Sequence, residues 1–80
     1  MPTILRDGAY RIYFYSHEPN EPPHVHIDRG ELSMKVWLEP ISLAGNHGFR
    51  PHEINAILRL VSKHRRCALE VWHEYFDQNH

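Results

Sequence analysis

The sequence predicts an α+β domain: a three- or four-stranded antiparallel sheet with one face covered by a C-terminal helix or kinked helix pair. Three observations predict it. Segments in the first half alternate apolar and polar residues with period two. Glycine- and proline-containing turns separate them. The last third carries apolar residues at three- and four-residue steps. Strands in a row followed by helix give a sheet with a helical layer on one face. The 80 residues are read as a single domain, 1–80. A domain of this size buries only about 60–65% of the surface that its unfolded chain exposes.

Residues 3–6 form the first predicted strand, closed by a turn at Asp7-Gly8, a pair suited to positive φ. Residues 10–15, Tyr-Arg-Ile-Tyr-Phe-Tyr, are β-branched and aromatic, with Tyr10/Ile12/Phe14 as the better core face. Pro19, Pro22 and Pro23 make residues 16–23 a stiff, extended connection. It leads into a third strand, 24–28, in which His24, His26 and Asp28 take one face and Val25 and Ile27 the other. A tight turn at Arg29-Gly30 precedes a fourth strand, 32–38. Closing the hairpin there pairs Ile27 with Leu32, His26 with Ser33, Val25 with Met34 and His24 with Lys35.

Glu39-Pro40 ends that strand, and residues 41–50 read as a loop or short helical turn broken by Gly45 and Gly48. Pro51-His52-Glu53 starts the helical region, 51–77. Its stripe is Ile54, Ile57, Leu58, Val61, Arg65, Ala68, Leu69, Trp72, Tyr75 and Phe76. The stripe turns polar near His64-Arg65-Arg66, where one helix can bend or divide into two. Trp72, Tyr75 and Phe76 are expected in the core, and Lys63 to Arg66 on a solvated helix face.

If the helices cover Ile12, Phe14, Val25, Ile27, Met34 and Val36, alternation fixes what the other face displays. It carries Arg11, Tyr13 and Tyr15; His24, His26 and Asp28; and Ser33, Lys35 and Trp37. Three chemistries fit such a surface. His24 and His26 with Glu21, Asp28 or His17 could hold a divalent metal such as zinc. The same two imidazoles could act as acid and base on RNA, with Arg11 or Lys35 on the phosphate and Tyr13, Tyr15 and Trp37 stacking bases. Alternatively the face is non-enzymatic and packs against a partner protein or a second copy, since Tyr, Trp and Arg are enriched at interface centres.

Composition narrows these only slightly. The net charge is −1 with eight histidines neutral, so overall basicity does not announce nucleic acid. Protonating every histidine would bring it to about +7. Cys67 is the single cysteine, which rules out an intramolecular disulfide and reads as a small packed residue. The first residues lack the apolar core of a signal peptide and no run reaches membrane-spanning length, so a cytoplasmic location is expected. His47, His52 and His73 read as surface or capping residues, and no phosphate-loop pattern occurs.

Several stretches carry a family resemblance. Met1-Pro2-Thr3-Ile4, Arg11 to Tyr15, Glu21-Pro22-Pro23-His24-Val25-His26, Lys35 to Pro40, Gly48-Phe49 and Trp72 to Phe76 occur in the order found in the domain of unknown function 4160 family (DUF 4160). The chain resembles that family over essentially its whole length. The resemblance implies a small bacterial protein often encoded beside a second small protein, of the domain-of-unknown-function 2442 (DUF 2442) type. That arrangement is similar to a toxin–antitoxin pair. It carries no settled mechanism and no catalytic residue. The expectation is therefore one half of such a pair, acting on RNA through the His24/His26 face. The alternative is a protein- or metal-binding module using the same face.

Overall fold

The computed structural model describes residues 3–15 and 20–77. Its sheet has five strands, one more than the upper expectation: β1 (Thr3–Asp7), β2 (Tyr10–Tyr13), β3 (His24–Arg29), β4 (Leu32–Leu38) and β5 (Ile41–His47). All neighbours are antiparallel and the spatial order is the chain order, a meander. Two helices follow, α1 (Pro51–Lys63) and α2 (Arg65–Asp77). The architecture is α+β. No helix among the described residues is long and apolar enough to cross a membrane.

The first two hairpins share one device. Gly8 and Gly30 each occupy the first position of a two-residue loop with φ near +60°, and Ala9 and Glu31 follow with negative φ. That is the type II′ pattern, whose twist matches the flanking strands. It corrects the β3–β4 register. Arg29 closes on Leu32, so Ile27 faces Met34, Val25 faces Val36, His26 faces Lys35 and His24 faces Trp37. The expected pairing was two residues away. A shift of two keeps every side chain on its face, so the alternation could not tell the two registers apart.

The stretch read as a loop, residues 41–50, is mostly β5. Glu39 and Pro40, joined by a cis peptide, form the turn, and β5 pairs with β4 from Ser33 to Leu38. Lys35 pairs with Gly45 but Val36 with Leu43, so Ala44 is the extra residue of a β-bulge. A similar irregularity in β1 leaves Ile4 between paired Thr3 and Leu5. β2 ends at Tyr13, short of the expected 15, although Phe14 still turns its ring toward the helices.

The core forms where alternation places it. Ile12, Val25, Ile27, Met34, Val36 and Leu38 of the sheet pack with Ile57 and Val61 of α1 and Ala68 of α2. A second cluster joins Phe14 to Trp72 and Phe76, with ring centroids 5.3 and 5.5 Å apart. The helices part at His64, whose backbone N–H donates to the carbonyls of Leu60 and Val61. Arg65 begins α2 and is not a solvated residue: its Nε donates to the Leu38 carbonyl oxygen at 2.7 Å, satisfying the end of β4. Lys63 and Arg66 are exposed as expected. Cys67 is exposed, contrary to its reading as a packed residue.

One polar cluster ties α1 to the sheet. Arg29 forms an ion pair with Glu53 and lies over the rings of Tyr10 and Phe49, at 5.6 and 5.3 Å. Glu53 also accepts from the Arg50 backbone N–H, the N-terminal residue that α1 leaves unpaired. The pairing holds the Glu53 carboxyl below the usual range and the Arg29 guanidinium above its ordinary value.

Candidate functional site

The sheet face away from the helices is built from four strands. Its central row is Tyr13 of β2, His26 of β3 and Lys35 of β4, held side by side by the register pairs Tyr13–His26 and His26–Lys35. His26 is fixed by aromatic neighbours. Tyr13 stacks on it at 5.4 Å between centroids, and Tyr15 meets it edge-on at 4.6 Å. Tyr13 is itself only 4% exposed, and its hydroxyl donates to Asp28 Oδ1 at 3.0 Å. Burial first, then hydrogen bonding to Tyr15 and Asp28, pushes the Tyr13 phenol well above its ordinary value.

His24 does not share this surface. It is 0% exposed and lies at the start of β3 against Trp72, Trp37 and His26, at centroid distances of 4.9, 5.6 and 5.2 Å. Its Nδ1 is 2.9 Å from the Pro22 carbonyl oxygen, a donor–acceptor pair in the Nδ1–H tautomer. The next carbonyl, that of Pro23, accepts from the Leu38 N–H at 3.0 Å. The proline-stiffened approach therefore closes over the histidine as it joins the sheet.

The charged groups of the face are engaged within the chain. Lys35 pairs with Glu21, and its ammonium lies 4.7 Å from the centre of the Trp37 ring. Arg11 donates to Thr3 Oγ1 from Nε and Nη2, at 3.1 and 3.0 Å, and covers the Tyr13 ring at 4.7 Å. Beside these groups lies an open depression of about 220 Å³. Tyr13, Tyr15, His26, Ser33 and Lys35 line it from β2 to β4, and Gly45, Asn46 and His47 line it from β5.

The family model described as domain of unknown function (DUF4160) matches residues 9–73, from the β1–β2 turn into α2. The chain belongs to that family. No curated protein and no solved structure matches it significantly.

In this DUF4160 chain, Tyr13, Tyr15, His26 and Lys35 lie together around the depression. β5, expected as a loop, also contributes to it. His47, taken as a surface residue, is exposed but sits opposite Ser33 in the ladder and lines the depression with His26. β5 is as long as β4, but Gly45 and Asn46 within it are poor strand formers and gave no strand signal. For a metal, among the described residues no group of three or more His, Cys, Asp and Glu side chains is arranged to hold an ion. Glu21 is taken by Lys35 and Asp28 by Tyr13, and His17 lies outside the described residues.

Proposed function

We propose that this protein is a binding module that docks a partner protein through the polar face of its sheet, as one half of a toxin–antitoxin-like pair. The observation that carries this reading is the internal pairing of Lys35 with Glu21 and of Arg11 with Thr3 and Tyr13. Phosphate-backbone recognition draws on several unpaired cations at once, and neither Lys35 nor Arg11 is unpaired. What this face offers instead is a half-buried aromatic and hydrogen-bonding surface formed by Tyr15, His26 and Trp37. Such residues make up the centres of protein interfaces. RNA cleavage by His24 and His26 is less well supported, because an imidazole with no exposed surface cannot reach a scissile phosphate.

Co-expression with a small DUF 2442-type protein tests the reading. The two are expected to co-purify and to form a complex of defined stoichiometry by native mass spectrometry. Trp37→Ala and Tyr15→Ala should each weaken that complex by at least about tenfold, the scale of an interface anchor. Separate purification of the wild-type proteins, with RNA degraded on expression of the wild type and spared by His24→Ala/His26→Ala, would reverse the conclusion.

A further inference from the structure

We infer, on that docking reading, that the depression between β2 and β5 receives an acidic side chain of the partner protein. Its ionisable lining is one-sided. His26, Lys35 and His47 approach it from three adjacent strands, and among the described residues no aspartate or glutamate lines it, Glu21 reaching Lys35 from beside it. The other polar groups at its wall include the Ser33 hydroxyl, which can donate to an anion, while the Tyr13 hydroxyl is spent on Asp28. The Asn46 amide is occupied with both the N–H and the carbonyl of Phe49.

Two features argue that this space is kept open for an occupant. At about 220 Å³ it is smaller than the ~300–1,000 Å³ of clefts that take whole small molecules, and it suits one or two side chains. Gly45 lies on its wall without a conformational need for glycine. Its φ is outside the positive region, and a Cβ there would meet only Lys35 Cβ, at 3.9 Å, an ordinary contact. A larger residue at 45 is compatible with the backbone and would fill the depression. Lys35 keeps capacity for a second carboxylate, because an ammonium carries three donors and Glu21 is a single partner.

The test is an NMR titration of the isotopically labelled full chain with three probes. These are an acetylated, amidated tetraglutamate peptide, inorganic phosphate and a single-stranded RNA oligonucleotide. The peptide should shift the His26 and His47 imidazole signals saturably, and Gly45→Tyr and His47→Gln should each weaken that binding at least tenfold. Thermal melting confirms that both variants fold. Absence of a saturable shift with the peptide overturns the inference, as does saturation by phosphate or RNA in preference to it. Affinity unchanged in Gly45→Tyr also overturns it. Because the titration needs no partner protein, a failed co-purification and a failed titration are separate results.

Discussion

His24 and Trp72 lie with ring centroids 4.9 Å apart, so the first residue of β3 is fastened to α2 by a histidine with no exposed surface. The Pro-Pro-His-x-His stretch therefore contains two histidines of different kind. One packs the sheet onto the last helix, and the other faces outward between two tyrosines.

The first prediction separates them. His24→Ala removes a buried ring and leaves the Pro22 carbonyl without its donor, and should cost about 2–3 kcal/mol. His26→Ala, on the half-buried face, should cost less than about 1 kcal/mol. Urea denaturation followed by tryptophan fluorescence measures both. Equal losses would mean that the two rings share one environment.

A second prediction concerns acid. Arg29 holds Glu53 ionised to lower pH than an ordinary glutamate, chiefly through their hydrogen bond. A depressed folded pKa contributes stability above the unfolded value, near ~4.3, and loses it as pH falls through the folded one. Glu53→Gln should lower the melting temperature at pH 7 and flatten its decline below about pH 4. Melting curves of the two proteins between pH 7 and pH 3 provide the comparison. Parallel curves would show that the pair is not coupled to folding.

Gly48 supplies a third. It has φ +102°, and a Cβ there would lie 2.5 Å from Leu32 Cδ2. Gly48→Ala combines that conflict with a conformation disfavoured by about 1–2 kcal/mol for residues bearing a side chain. Gly45→Ala, two strand positions from β5's end, should stay within about 0.5 kcal/mol. Matched chemical denaturation of the two variants checks the difference.

Tyr13 gives a fourth, at the alkaline end. Burial favours its neutral phenol, so its contribution is complete below the ordinary tyrosine range and fades as pH rises beyond it. Phenolate absorbance near 295 nm should show a component titrating above that range in the wild type. Tyr13→Phe should lack it.

The faces of the strands were legible in the sequence because side-chain direction depends on parity alone. Ile12, Val25, Ile27, Met34 and Val36 all reached the core, and the polar row formed opposite them. Register was not legible from parity; it depended on Gly30 taking the first loop position. β5 was hidden because Pro40, Gly45 and Asn46 are poor strand formers, whereas an edge strand needs only one partner and tolerates a bulge. His24 shares the phase of His26, but nothing local reveals that Trp72, far along the chain, closes over it. The polar break in the helical stripe had a structural cause as well. Arg65 is spent on the end of β4, and α2 begins there.

The irregularities in β1 and β5 have one further consequence. These two strands are the borders of the sheet, and each carries an unpaired residue, Ile4 in one and Ala44 in the other. A bulge bends and twists the strand that holds it, so neither border offers a straight row of donors and acceptors to an incoming chain. Sideways growth into a fibril has no flat template at either end, and the route left open for association runs through the face.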